Sequence, residues 1–293
     1  MNIGGLSVGG FNNYKEMCAS ILMPGVQHMR HTFLPEHKFI KGQPDTGAEI
    51  ADDLDVFANK FEGEIAACIV EPIAGSTGTL IPPKGYLEKL RKICNKHDIL
   101  LIFDEVITGW GRTGSAFAAQ EFGVTPDLMT MAKATTNGVV PMGVVAVRDT
   151  IYESIVNSAP EGAIELFHGY TYSGIPVAVA AALAVQDIFE KEDIFKRVKE
   201  MSPYFQDGLH SLKDLDCIES IRGYGMMGGI DIRKKDKPGK AGFQIYKACY
   251  NNGVNFKATG DALILAPPFI CEKKHIDEIF DKLRKGIIQY MKD

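Results

Sequence analysis

The chain has 293 residues, of which 45% are hydrophobic and 24% charged, an ordinary composition for a globular protein with one large or two medium domains. Its formal net charge is −5 and it has no basic patch, which argues against a nucleic-acid-binding protein. No apolar run reaches the roughly 20 residues needed to cross a membrane, and the first residues lack the basic start and apolar segment of a secretory signal.

The cysteines and histidines do not form the usual patterns of disulfide or metal-binding proteins. Six cysteines are scattered along the chain without a Cys-x-x-Cys pair, which is typical of reduced thiols in a cytoplasmic protein. The segment around His28-x-x-His31 contains no cysteine and no clear carboxylate partner. We therefore expect loop histidines rather than a zinc site, and no bound metal.

The predicted elements of the first half alternate between strands and helices. Residues 65–70 form a short apolar run that ends before Glu71-Pro72, which predicts a buried strand. Apolar residues recur with helical spacing over residues 83–97, and residues 99–103 are again a short apolar run. This order indicates two parallel strands joined by a right-handed crossover. Two further strands are predicted at residues 127–132 and 143–147.

The second half is predicted to be helical at first and then mixed. Residues 176–213 have a helical pattern, with Pro176 suited to the first helical position. The later predicted elements are strands at 218–222 and 228–232, a charged turn over 234–239, a helix at 241–252, a strand at 262–265 and a helix at 274–291. The whole indicates an α/β protein with a large domain (residues 1–195) built on a mostly parallel central sheet, and a small α+β domain (residues 196–293).

The chain begins on glycine pairs, Gly4-Gly5 and Gly9-Gly10, with no predicted helix or strand before them. A parallel sheet that starts here would lack some of its strands. We therefore expect that an N-terminal part of the large domain is missing and that the central sheet is incomplete on that side.

Two charged residues at the ends of predicted strands are the strongest functional signal. Asp104 directly follows the apolar run 99–103, and Lys133 follows the run 128–132. Because open α/β sheets bind ligands at the carboxyl ends of their strands, we expect both side chains at one site. A partly desolvated lysine there has a lowered pKa and is nucleophilic. This pair suits pyridoxal phosphate, since the amine forms a Schiff base with the aldehyde and the carboxylate keeps the pyridine nitrogen protonated.

Alternative interpretations exist for each of these segments. Apolar residues before Asp104 also resemble part of a P-loop NTPase, but the chain has no Gly-x4-Gly-Lys-Ser/Thr loop, which excludes that class. Val106 would share a strand face with Asp104 and pack against a pyridine ring, or be an ordinary core valine. Residues 168–174 could bind a phosphate at the N-terminus of the next helix or simply cap it. Residues 71–78 could form a wall of a substrate pocket or a tight connection.

Taken together, these segments resemble the class III pyridoxal-phosphate aminotransferases, and most closely the ω-amino acid (β-alanine):pyruvate transaminase branch. The resemblance covers essentially the whole chain and implies a fold type I transferase. It rests on four motifs in combination, which are Glu71-Pro-Ile-Ala-Gly-Ser-Thr-Gly, Phe103-Asp-Glu-Val-Ile-Thr-Gly-Trp-Gly-Arg-Thr-Gly, Ala132-Lys-Ala-Thr-Thr-Asn-Gly and His168-Gly-Tyr-Thr-Tyr-Ser-Gly.

The resemblance also implies a role for each site residue. Lys133 would be the Schiff-base lysine and Asp104 the partner of the pyridinium nitrogen, while Val106 would pack on the ring face. Thr171 would reach the cofactor phosphate of the neighbouring subunit, which implies a homodimer with shared active sites. Lys257 stands where the branch usually has an arginine that binds the substrate carboxylate. Lysine keeps the charge but loses the bidentate geometry, so we expect altered carboxylate recognition.

The sequence also departs from the family pattern. Ala134 replaces a usual glycine and Ile175 a common histidine, and the N-terminal phosphate loop and Tyr-His-Gly of the family are absent. Ser76 lies where ornithine- and GABA-type relatives have glutamate, which favours the pyruvate-using branch. The predicted function is transfer of an amino group from an ω-amino acid or amine, such as β-alanine, to pyruvate. A class III aminomutase-type enzyme, which needs no oxo-acid acceptor, and an inactive fragment without the phosphate loop are the alternatives.

Overall fold

The computed structural model describes residues 2–233 and 237–292, so residues 234–236 of the predicted charged turn lie outside the described part of the chain. The α-helices span Ile3–Val8 (α1), Asn12–Met17 (α2), Asp52–Lys60 (α3), Tyr86–Lys96 (α4), Ala118–Glu121 (α5), Asp149–Asn157 (α6), Pro176–Lys191 (α7), Ile194–His210 (α8), Lys240–Asn251 (α9) and Lys273–Lys292 (α10). The strands span Ala67–Val70 (β1), Leu100–Asp104 (β2), Leu128–Met131 (β3), Val144–Val147 (β4), Ile218–Tyr224 (β5), Met227–Ile232 (β6), Lys257–Thr259 (β7) and Ala262–Leu265 (β8).

The first sheet places the carboxyl ends of three strands side by side. Its order is β1-β2-β3-β4, with β1, β2 and β3 parallel and β4 antiparallel to β3. Val70 pairs with Phe103, and Asp104 pairs with Thr130. The segments that follow β1, β2 and β3 therefore start at the same edge of the sheet, as predicted from the apolar runs.

A hydrophobic core lies between this sheet and the helices α3 and α4. The helical pattern predicted over residues 83–97 is confirmed by α4, whose buried face contains Tyr86, Leu87, Leu90, Ile93 and Cys94. These side chains join Leu101 and Phe103 of β2 in one buried cluster. Burial of each large apolar side chain contributes about 2 kcal/mol, so this core holds the edge of the sheet in place.

The second sheet is antiparallel and packs against the C-terminal helices. Its order is β5-β6-β8-β7. One buried cluster joins Ile230 of β6 and Leu263 of β8 to side chains of α8, α9 and α10 such as Leu209, Ile245 and Leu283. The predicted strands and helices of this half are present, with ends shifted by a few residues.

The long helical stretch predicted over residues 176–213 is broken into two helices. Pro176 is at the first turn of α7, as predicted. The chain then reverses at Asp193, which has a φ of +49°, and α8 is followed by a 3₁₀ turn at Ser211–Asp214. The boundary placed between residues 195 and 196 falls in the first turn of α8, and the division into two domains stays a prediction.

Several short elements were not predicted from the sequence, among them α1, α2, α3, α5, α6 and β7. The glycine pair Gly4-Gly5 lies inside α1, where the Asn2 side chain caps the helix by accepting a hydrogen bond of 2.7 Å from the Gly5 N–H. Glycine disfavours helices, so composition alone gave no signal there. None of the helices in residues 2–233 and 237–292 is long and apolar enough to cross a membrane.

Candidate active site

Asp104 is the last residue of β2 and its carboxylate is fixed by two hydrogen bonds. Oδ1 accepts a bond of 3.0 Å from the backbone N–H of Val106 and one of 3.3 Å from the hydroxyl of Thr130. Thr130 is also its pairing partner on β3. The carboxylate is therefore oriented by the turn that follows its own strand and by the neighbouring strand.

Lys133 lies two residues beyond β3 and begins the 3₁₀ turn Lys133–Thr135. Its φ is +48°, a left-handed conformation that costs a non-glycine residue about 1–2 kcal/mol. The side chain lines a cavity and keeps solvent access through it. Desolvation lowers the pKa of the Lys133 amine below the ordinary lysine value, against the opposing influence of Asp104 and Glu71. This direction agrees with the lowering predicted from the sequence.

The cavity beside Lys133 has a volume of about 720 Å³ and lies between the two sheets. Ser76, Val106 and Lys133 line it from the first sheet, and Lys257 and Phe269 from the second. Its lining is mostly apolar. Gly75 and Ser76 in this lining favour the interpretation of residues 71–78 as a pocket wall.

The position of Val106 has a different cause from the one inferred from the sequence. β2 ends at Asp104, so Val106 is not on the strand, and the argument from a shared strand face was wrong. Val106 reaches the cavity because the turn after the strand directs it there, and its N–H is held by Asp104.

Glu71 is a half-buried acidic residue near this site whose importance sequence reasoning missed. It follows β1, and its Oε2 accepts a hydrogen bond of 3.0 Å from the Gly75 N–H. Desolvation raises the pKa of the Glu71 carboxyl, and Asp104 raises it further, whereas Lys133 and Lys257 lower it. Two carboxylates and two lysines thus influence one another electrostatically, and both lysines line the cavity. Glu71 could have been identified from its position directly after an apolar run, because Asp104 has the same position after the next run.

The loop between β2 and α5 joins the site to the second sheet. Arg112 Nη1 donates to the carbonyl oxygens of Met226 at 2.9 Å and Pro267 at 2.7 Å. Its guanidinium lies 4.3 Å from the ring centroid of Phe269. Burial lowers the pKa of Arg112 to about 10. These contacts attach the segment that follows Asp104 to the far wall of the cavity.

Lys257 and Thr171 differ in their relation to the cavity. Lys257, the first residue of β7, lines the cavity and is exposed, with Nζ 5.9 Å from the ring centroid of Phe11. Thr171 lies on an exposed loop before α7 and is not part of the lining. The structure therefore places Val106, Lys133 and Lys257 in the cavity lining and Asp104 within electrostatic reach of Lys133, but leaves Thr171 outside.

The comparisons with known proteins point to one family over nearly the whole chain. The family model "Aminotransferase class-III" matches residues 2–287. An omega-aminotransferase of Caulobacter vibrioides is 48% identical over 99% of this chain, and a beta-alanine–pyruvate aminotransferase of Pseudomonas aeruginosa is 41% identical over 98%. The chain spans 66% and 64% of the lengths of these two curated relatives.

A solved structure supports the same comparison at the level of the fold. A PLP-bound amine transaminase from an uncultivated Pseudomonas species superposes with a TM-score of 0.87 and 29% identity, over 98% of this chain and 67% of that one. The predicted α/β fold of the fold type I transferases is confirmed by this agreement.

Proposed function

Because this chain belongs to the class-III aminotransferase family, we propose that it is a pyridoxal-phosphate-dependent transaminase. The proposed reaction moves an amino group from an ω-amino acid or amine, such as β-alanine, to pyruvate. The observation that carries the proposal is that the Lys133 amine, whose pKa is lowered, lines a cavity at the ends of adjacent strands and lies within electrostatic reach of the Asp104 carboxylate. The activities in the names of the two curated relatives agree with it.

The side chains at the strand ends suit the ring end of pyridoxal phosphate. Lys133 would hold the cofactor through its amine, and Asp104 would hold the pyridine nitrogen. Val106, on the cavity wall, offers an apolar β-branched surface for the ring. Asp104 is already oriented by Val106 and Thr130, so little reorganisation is needed for it to bind a protonated nitrogen.

Lys133 would also move the proton that transamination requires. When bound, the cofactor supplies an electron sink for the substrate carbon that bears the nitrogen. Once the amine of the donor has displaced it from the cofactor, Lys133 Nζ would take the proton from that carbon and return it two atoms away, which completes the 1,3-proton shift. A lysine does this only as the neutral amine, so the lowered pKa increases the active fraction near neutral pH. Asp104 would bind the protonated ring nitrogen.

Lys257 would bind the carboxylate of the amino donor or of the oxo acid. It is the cation on the second-sheet side of the cavity, and its influence on the pKa of Lys133 and Glu71 places it within electrostatic reach of them. The mostly apolar lining would accept the hydrocarbon part of the donor. Lysine contributes a single point charge, so we expect weaker orientation of the carboxylate than with arginine.

The proposal includes a homodimer in which each copy completes the site of the other. Thr171 would contact the cofactor phosphate of the neighbouring subunit. Support comes from large apolar side chains around it, since Phe167 is 89% exposed, Tyr170 70% and Tyr172 77%. Exposed apolar clusters of this kind mark interaction surfaces.

We place the enzyme in the cytoplasm, in keeping with six cysteines that form no disulfide bond within the described chain.

An absorption experiment tests the proposal. The purified chain is mixed with pyridoxal phosphate, its visible spectrum is recorded, and borohydride is added before peptide mass spectrometry. We expect a cofactor band in the spectrum and fixation of the cofactor on the Lys133 peptide. Lys133→Ala should lose both signals, whereas the matched change of an exposed lysine, Lys191→Ala, should keep them. Soluble, folded protein without a band would favour the inactive alternative.

Turnover is measured with β-alanine and pyruvate as substrates. The detected product is α-alanine, which forms when pyruvate accepts the amino group. Alanine formation that depends on both substrates and on Lys133 would support transamination. A rearranged amine formed without any oxo acid would instead identify an aminomutase-type reaction and contradict the proposal.

A further inference from the structure

Trp110, the only tryptophan of the chain, is hydrogen-bonded to the turn that carries Lys133. Its indole Nε1–H donates to the Thr135 hydroxyl at 2.9 Å, and that hydroxyl donates to the Ala132 carbonyl at 3.0 Å. Ala132 directly precedes Lys133. Two consecutive hydrogen bonds therefore run from the loop after β2 to the peptide bond before the lysine.

Lys133 needs such support because its backbone is strained. Its φ of +48° is disfavoured for a residue with a side chain. A strained residue keeps its conformation only when surrounding contacts determine it. The turn itself supplies one backbone bond of 3.0 Å from the Thr135 N–H to the Ala132 carbonyl, and two longer ones from Thr136 and Gly138 to the Lys133 carbonyl, at 3.3 and 3.2 Å. The Thr135 hydroxyl, 2% exposed, supplies the side-chain bond on the other side of the lysine.

The indole itself is held firmly enough to act as a fixed donor. Trp110 has a φ of +63°, and its backbone N–H donates to the Ala116 carbonyl at 2.6 Å. Its ring is 5.2 Å from that of Phe117 and 6.3 Å from that of Phe189. Trp110 is half-buried, and its indole N–H finds an acceptor in the Thr135 hydroxyl. The donor is thus fixed by the loop after β2, through Phe117, and by α7, through Phe189.

We propose that Trp110 is a positioning residue for Lys133, acting through the Thr135 hydroxyl to hold the strained turn that directs the lysine into the cavity. This inference rests on the role of Lys133 in the proposed function. Without the indole bond the turn relaxes toward ordinary backbone angles, and the Lys133 amine becomes better solvated. Its pKa then rises toward the ordinary lysine value, because desolvation is the main cause of its lowering.

Competitive acetylation tests the inference without any cofactor. The chain is treated with acetic anhydride between about pH 7 and 11, and mass spectrometry follows the Lys133 peptide against the exposed Lys191. For Trp110→Phe, which keeps an aromatic ring but loses the N–H, we expect the labelling midpoint of Lys133 to rise by about half a pH unit. This equals roughly a threefold loss of neutral amine below the midpoint.

Three further variants separate positioning from packing. Thr135→Val removes the hydroxyl and should raise the midpoint as Trp110→Phe does, while Thr135→Ser keeps the hydroxyl and should leave it unchanged. Phe117→Leu weakens the packing around the indole but keeps the hydrogen bond, so its midpoint should also stay unchanged. If Trp110→Phe does not fold, as judged by circular dichroism, the Thr135 pair decides.

An unchanged midpoint in Trp110→Phe and Thr135→Val, or an equal rise in Phe117→Leu, overturns the inference. Its failure is distinct from a failure of the proposed function. Labelling reports on the Lys133 turn alone, whereas cofactor fixation on Lys133 reports on the function, so either result can be negative while the other is positive.

Discussion

Replacement of Glu105 should destabilise the loop that follows Asp104. Glu105 is fully buried, and its carboxylate accepts hydrogen bonds from the Thr108 hydroxyl at 2.7 Å and from the N–H groups of Ala118 at 2.8 Å and Ala119 at 2.7 Å. It therefore holds both ends of the loop that contains Trp110. Burial of the charge opposes this gain, as shown by the raised pKa of the Glu105 carboxyl.

The expected cost follows from counting these bonds. In Glu105→Gln one carboxylate oxygen becomes an amide nitrogen, which cannot accept, so at least one bond to a backbone N–H is lost. A hydrogen bond to a charged group contributes about 1.5–3 kcal/mol, and removing the buried charge recovers part of that. We expect a loss of about 2 kcal/mol. Glu105→Ala leaves three donors without this acceptor and a cavity, and should cost about 4 kcal/mol.

Urea unfolding followed by circular dichroism measures these differences. Thr108→Val is the matched control, because it removes only the hydroxyl donor and should cost about 1 kcal/mol. The expected order of destabilisation is therefore Thr108→Val, then Glu105→Gln, then Glu105→Ala. A Glu105→Gln variant as stable as the wild type, or less affected than Thr108→Val, would refute the reasoning.

Three further predictions concern the pocket and the fold. Lys257→Ala should raise the KM for β-alanine about tenfold but not that for an amine without a carboxylate, and equal effects would contradict its role. Gly225→Ala should cost about 3 kcal/mol in urea unfolding, because its φ is +57° and the new Cβ would lie 2.3 Å from the Arg112 carbonyl oxygen. Gly260→Ala, with the same φ but open space, should cost only about 1 kcal/mol. Burial lowers the pKa of His210 from 6.5 to about 4, so only the unfolded state binds its proton between these values. Stability should fall by up to about 3 kcal/mol as the pH drops through this range, and His210→Gln should remove most of that loss.

The sequence by itself determined the strands and the two charged residues at their ends. The run 99–103 predicted a strand found at Leu100–Asp104, and the run 127–132 one found at Leu128–Met131. Apolar runs and helical spacing are local properties, so they can be recognised without knowing the fold. The end of such a run also indicates a partly desolvated position, which is why the lowered pKa of Lys133 could be predicted.

Only the tertiary structure decided which other groups lie around Asp104 and Lys133. The bond from Trp110 to Thr135 joins residues 25 positions apart, and that from Arg112 to Pro267 joins residues 155 apart. Such contacts depend on the register of the sheet and on how the second sheet packs against the first. Neither is visible in local patterns, because burial and charge at a site are set by residues that only folding brings near.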